Sequence, residues 1–459
     1  MKSLVAAATA ALVLLATAGA SANGRFPAAN QLVFSPSDPN LAVLRTTFGV
    51  LVSHDGGSAW SWICEDAIGL PPTSSDDPSI GVTSGGSLVA GIYKGLEVSP
   101  DTGCNWTFLG GPLKNQVIAD VAVRPDAPHT VVAIASTYGV DAGADGGTGY
   151  ATQVYESTND GATWSPLGVP IDPGVLVTTI DVSAADPHRL YVSGFRVAAT
   201  PGGTNAASLF VSLDEGAHWT ERPLPPLVNE VGAYIAAIDP GDADRVYLRT
   251  SGPMMPPSQS RLFVTSNAGQ SFTTPLAFDT PGGQMLGFAL SPDGSKIYAG
   301  AAQGGLYVGM RSALDAGTPF QKTSAIHVQC LAARGSELWA CSDEASGFIA
   351  GVSSDDGATF TAKLHLNGIQ APLACAPDAT TAQCVAEFDP LCENFGGCAG
   401  WDGGVPPTDA AANGDGGARS PSGSSHSCGC SVIGGAGGVT GVAAFAGLAA
   451  IAARRRRRL

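Results

Sequence analysis

Two short apolar runs joined by a polar turn recur along the chain: QLVFSPSDPNLAVLRTT at 31–47, TIDVSAADPHRLYVSG at 179–194, AYIAAIDPGDADRVYLRTS at 233–251 and LGFALSPDGSKIYAG at 286–300. A third short run (GVLVS, QVYES, SLFVS or RLFVT) leads into a polar string, and a fourth follows it. Such runs, rich in Val, Ile, Leu and Tyr and bounded by Pro, Gly, Asp and Ser, predict β-strands in antiparallel hairpins. Each unit thus predicts four strands, with the polar string at the turn between the third and fourth.

The strings are themselves a repeat. They read SHDGGSAW (53–60), SPDTGCNW (99–106), STNDGATW (157–164), SLDEGAHW (212–219), TSNAGQSF (265–272), ALDAGTPF (313–320) and SSDDGATF (353–360). The common form is Ser/Thr-x-Asp/Asn-x-Gly-x-x-Trp/Phe, and the sixth departs at its first position, where Ala313 stands. The closing aromatics, Trp60 to Phe360, fall 40 to 58 residues apart, the period of a four-stranded propeller blade. Turn chemistry accounts for the residue types. Asp55, Asp101, Asn159, Asp214, Asn267, Asp315 and Asp355 each offer an oxygen to the turn's own N–H groups. Glycine supplies positive φ, and the aromatic packs between sheets. Nothing in the string positions a nucleophile.

These strings resemble the Asp-box, or BNR, repeats of sialidase-like β-propellers, from about residue 28 to 367. The expectation is an all-β, seven-bladed propeller occupying 23–367, whose radial closure hides the edges of its short strands. The resemblance implies that the Asp-box residues lie at the blade periphery, away from an axial ligand site, in a structural role. It leaves function open, because relatives include glycosidases as well as non-catalytic binders and assembly factors.

Both ends of the chain carry targeting signals. MKSLVAAATAALVLLATAGASA (1–22) has a basic start, an apolar run and a small-residue cleavage site, so it reads as a secretory signal peptide. Residues 399–427 form a linker rich in Gly, Ala, Pro and Ser. Residues 428–459 hold Cys428 and Cys430, an uncharged stretch from Ser431 to Ala453, and Arg454 to Arg458. The uncharged stretch is long enough to span a bilayer as a helix, with the arginines cytoplasmic. This order is similar to the MYXO-CTERM type of C-terminal sorting tail, which implies processing by a membrane protease and anchorage through Cys428 or Cys430. The expected location is the cell surface or outer membrane. Removing Lys2 and five arginines leaves 17 basic against 39 acidic residues, a net charge near −22. A surface so acidic excludes nucleic-acid binding.

Eight of the ten cysteines precede the tail, and in an exported chain an even set predicts disulfides. Cys330 and Cys341 suit a bridge across one hairpin, whereas Cys64 and Cys104 are expected to staple neighbouring blades. Cys375, Cys384, Cys392 and Cys398 form a cluster in the segment 368–398, with three pairings open among them. That cluster lacks His and CxxC spacing, so no metal is expected there, and no cofactor elsewhere. The loop Asp141 to Gly147 lacks the full ligand set of a calcium loop.

A sialidase site would need three arginines around a carboxylate, a Tyr–acid pair and an Asp, because a guanidinium grips a carboxylate bidentately. Gly24-Arg25-Phe26-Pro27 is similar in place to the sialidase Arg-Ile-Pro motif, with Phe for Ile. Arg45 and Arg249 occupy matching slots on the second strands of units 1 and 5, where other units hold Gly91, Ser193, Gly300 and Cys341. Glu230 and Tyr234 are the candidate acid and Tyr. The plainer reading of each arginine is an ion pair with a local Asp. The expected protein is a monomeric, surface-anchored binder of a glycan, peptide or surface protein. Its rivals are an exo-sialidase or other glycoside hydrolase using Arg25, Arg45 and Arg249 and, more remotely, a photosystem-stability-type assembly factor.

Overall fold

A computed structural model describes residues 26–398, apart from 72–73, 75, 142–147, 199–204, 254–256, 281, 315 and 318–319. The seven units become seven antiparallel sheets. Blade 1 comprises Ala29–Phe34, Ala42–Thr46, Gly49–Ser53 and Ser61–Ile63. Blade 2 runs from Ser79–Val82 to Thr107–Phe108, blade 3 from Val117–Val123 to Ser165–Ile171, and blade 4 from Val175–Val182 to Thr220–Pro223. Blade 5 runs from Gly232–Asp239 to Thr273–Phe278, blade 6 from Met285–Leu290 to Gln321–Ser324, and blade 7 from Cys330–Arg334 to Thr361–Leu364. Within each sheet the strands pair in chain order.

Apolar side chains on the two faces of a blade meet those of its neighbours, so the core is a ring of layers with no single centre. One layer holds Val132, Ile134 and Val154 of blade 3 against Val175, Ile180 and Val192 of blade 4. The axis is left to the inner edges of the first strands. Burial at the seams therefore holds the ring, while the axis stays free for polar groups.

Six of the seven repeat strings close their hairpins in one geometry. In blade 2, Asp101 Oδ1 accepts from Ser99 Oγ at 2.8 Å and from Asn105 N at 2.8 Å, while Gly103 N donates to Ser99 Oγ at 2.9 Å. Asp55, Asn159, Asp214, Asn267 and Asp355 hold the same places in their turns. Two successive residues adopt positive φ, as with Thr102 at 57° and Gly103 at 111°. The fourth residue then docks on the first hairpin of its own blade: Asp160 N donates to His129 O and Glu215 N to His188 O, both at 2.9 Å. That places the strings and the turns between strands one and two on a single face, the repeat face. The turns between strands two and three, and the connectors between blades, lie on the opposite face.

Asp101→Ala removes the acceptor for Asn105 N and Ser99 Oγ. The expected cost is about 1–2 kcal/mol, like that of an N-cap loss, read as a lower urea midpoint at unchanged slope. An unchanged midpoint would leave the aromatic alone as the lock.

The sixth string differs at its start. Ala313 has no hydroxyl to receive the glycine N–H, and a helical turn, Arg311–Leu314, leads into the string. Arg311 instead reaches across to blade 5, its Nη1 3.0 Å from Oδ1 of the fully buried Asp239. Asp315 lies outside the described residues, while Phe320 stays buried.

The cysteine expectations are corrected. Cys330 does bond Cys341 across one hairpin. Cys64 and Cys104, however, bond Cys384 and Cys375, and within the late cluster only Cys392 and Cys398 pair. The segment after blade 7 wraps the outer side of blades 1 and 2. Ala371–Pro372 adds a fifth strand parallel to Ser61–Ile63. The helix Cys384–Asn394 then lays Phe388 against Trp62, and Phe395 beyond it meets Phe48. Sequence spacing could not show this, because the partners stand 320 and 271 residues apart. No described helix is long and apolar enough to cross a membrane. The signal peptide, the tail with Cys428 and Cys430, and residues 142–147 of the candidate calcium loop lie outside the described residues.

Candidate functional site: the connector-face mouth of the axial channel

The first strands leave backbone N–H and C=O groups facing the axis, and side chains from neighbouring blades satisfy them. Gln31 of blade 1 pairs with both backbone groups of Ile80, at 3.0 and 3.1 Å. Ser79 donates to Asp120 at 2.5 Å, Asp120 accepts from Ile180 N at 3.0 Å, and Thr179 accepts from Ile235 N at 2.9 Å. A polar belt thus passes from blade 1 to blade 5.

Asp120 and Asp181 stand half-buried on the first strands of blades 3 and 4, the strands nearest the axis. Burial pushes Asp120 up to about 6, against the pull of Ser79, two backbone N–H groups and the Arg45 charge. Burial, with the charge of Asp120 added, pushes Asp181 up to about 7. Neither was singled out from sequence. The available signal was an Asp in a strand whose flanks are apolar, VIADVAV and TTIDVS.

At the connector-face end, Arg45 Nε donates to Asn30 Oδ1 at 2.7 Å and Nη1 to Pro78 O at 2.8 Å. Arg249 pairs across the ladder with Tyr234, its guanidinium 5.0 Å from that ring's centre, and donates to Met285 O at 3.0 Å. Burial depresses the Arg249 pKa, and the positive charge of Arg45 depresses it further. The two matched arginines therefore share the mouth. Their slot is tight elsewhere: a Cβ at Gly91 or Gly300 would come within 2.6 Å of the next blade's side chains. Tyr93 completes the mouth from blade 2. Its N–H donates to Asp76 at 3.0 Å, and burial with the nearby Asp76, Tyr234 and Asp77 pushes its hydroxyl up to about 12.

Glu230 and Tyr234 do not form the expected pair. Arg261 Nε lies 3.0 and 3.1 Å from the two oxygens of Glu230, Arg261 Nη2 also reaches it, and Thr250 Oγ1 donates to it. With its side chain fully buried, this carboxylate is engaged structurally. Tyr234 is raised by burial, with Arg249 pulling the other way. Both residues do line one cleft of about 570 Å³ between blades 4 and 5, with Leu176, Phe195, Leu227 and Thr178. Arg25 lies outside the described residues, and among the described residues no group of three His, Cys, Asp or Glu side chains could hold a metal.

The class that this fold and mouth define is a seven-bladed β-propeller with a polar axial channel. No family model matches the chain, and no curated protein matches it. Among solved structures it is similar to an ancestral GH74 enzyme, with a TM-score of 0.48, 15% identity, and 74% of this chain and 45% of that chain covered. It is also similar to the GH74 xyloglucanase from Xanthomonas campestris, at a TM-score of 0.33 and 16% identity, covering 74% of this chain and 65% of that one. A puromycin-hydrolyzing peptidase from Mycobacterium tuberculosis matches at a TM-score of 0.47 and 12% identity, covering 75% and 55%. The chain spans under half of the first of these, and at such identities the likeness concerns the propeller fold alone.

Proposed function

We propose that this is an exported, surface-anchored propeller of the Asp-box type that binds a glycan, peptide or neighbouring surface protein at the connector-face mouth without turning it over. The observation that carries this reading is the engagement of Glu230 by Arg261 and Thr250, which turns the candidate acid away from Tyr234. The cleft beside Tyr234 combines apolar walls with a few polar groups, the usual composition of a binding site. Export is supported by four disulfides, which persist in oxidising compartments. The acidic surface fits a protein that stays monomeric and off nucleic acid.

One observation favours the rival, a glycoside hydrolase or exo-sialidase. Arg249 lies deep in the molecule with a carbonyl and a ring as partners, and a guanidinium so placed suits a ligand carboxylate. A panel of fluorogenic sialosides and glycosides, run beside glycan and peptide arrays, separates the two. The expected result is no turnover, with array binding weakened about tenfold or more by Arg249→Met, as for a lost charge-assisted contact. Turnover abolished by Arg249→Ala would sink the binding reading.

A further inference from the structure

The seam between blades 1 and 2, beneath the late segment that wraps them, contains a buried carboxyl group. Glu97 sits on the third strand of blade 2, between Ala90 and Phe108 in the ladder. Glu97 is 2% exposed, and among the described residues its Oε2 has no hydrogen-bond partner. Gly69, at φ 68°, ends the turn Asp66–Ile68 directly over it: a Cβ there would lie 2.3 Å from Glu97 Oε1 and 2.5 Å from the Phe108 ring. That turn follows Cys64, which bonds Cys384, and it packs against the turn Thr380–Gln383. Glu97 is therefore the floor beneath the clasp that joins the late segment to blades 1 and 2.

We propose that Glu97 makes this clasp proton-dependent: closed over a neutral carboxyl, and loosened when the carboxyl ionises and must find water. An uncompensated carboxylate is not tolerated in so dry a place, so charging it demands that the Asp66–Gly69 turn lift. Burial alone pushes Glu97 up to about 7, and no neighbouring charge contributes. The elements across the seam offer no relief. Glu387 on the helix Cys384–Asn394 faces Asp66, and burial together with that negative charge raises it too. The stretches 46–93 and 364–398 contain no Lys or Arg. In Glu97's own blade, Lys94 precedes its strand and Lys114 follows the turn Gly111–Leu113, and neither contributes to the shift of Glu97.

The sign follows from the direction of the shift. A carboxyl that is neutral in the closed state and ordinary in the open state favours closure fully at low pH. That advantage fades as pH rises from the ordinary range through about 7. The open fraction should then grow by up to tenfold per pH unit across the window.

The test is hydrogen exchange on the intact protein at pH 5.5 and pH 8.5, corrected for intrinsic rates, on peptides covering 64–70 and 380–395. The expected result is at least tenfold lower protection at the higher pH in those peptides, with the blade 5 and 6 strands unchanged. Glu97→Gln should hold protection equal at both pH values, and Glu387→Gln should leave most of the loss in place. A second readout guards against a general packing defect: the rate at which a phosphine reduces Cys64–Cys384 should rise with pH in wild type and stay flat in Glu97→Gln. Equal protection at both pH values, or a pH-dependent loss that survives Glu97→Gln, would overturn the proposal.

Discussion

Replacing Cys64 and Cys384 together with serine is expected to lower the unfolding free energy by about 4 kcal/mol. The bridge joins positions 320 apart, both sulfurs are fully buried, and with Cys104–Cys375 in place the loop it closes runs only through 64–104 and 375–384. On the chain-entropy account a cross-link stabilises by restricting the unfolded chain, more so for longer loops. The ring depends on it because its closure is thin. The added strand Ala371–Pro372 is two residues long, and blades 7 and 1 meet through side chains, such as Phe34 against Trp339 at 5.5 Å. A built-in control is Cys392–Cys398, which closes a loop only six residues apart. Its removal should cost about 2 kcal/mol on the same account. Guanidinium unfolding of the two double variants reads the difference. Equal midpoints would mean that the apolar seam, not the covalent link, closes the ring.

Arg261→Met should cost about 3–5 kcal/mol, because it strands the fully buried Glu230 carboxylate without its cation. The same change frees the connector wall of the cleft. Arg261 Nη2 holds Pro226 O at 2.8 Å, and Glu230 accepts from Val228 N at 3.1 Å. Loss of ligand capture should accompany the loss of stability. The double variant Glu230→Gln with Arg261→Met should recover a large part of the stability, since both ends of the pair are then neutral. An additive double variant would show that the two side chains act separately. That result would return Glu230 to consideration as an acid for Tyr234.

The blades were legible in the chain for a local reason. The side-chain bonds that lock each repeat turn span two to four residues, from Ser99 to Asp101 and from Asp101 to Asn105. Even the exception was visible, since Ala313 lacks the hydroxyl that the turn requires. The matched slots of Arg45 and Arg249 were legible as well, because strand register repeats with the blade. Which partner each side chain finds was not. Glu230 and Tyr234 stand four apart, yet the acid turns to Arg261, 31 positions away on the third strand of the blade.

What the sequence by itself determined, then, is the unit: four strands, a locked turn, an aromatic between sheets, and seven copies of the whole. Each depends on contacts a few residues apart, so periodicity and residue type suffice to read them. Only the tertiary structure decided how the ring closes, which cysteines meet, that Asp120 and Asp181 stand half-buried near the axis, and that Glu97 lies dry beneath the clasp. These depend on groups brought together from separate blades or from the two ends of the chain. Burial then sets their charge, and burial is a property of the assembled ring.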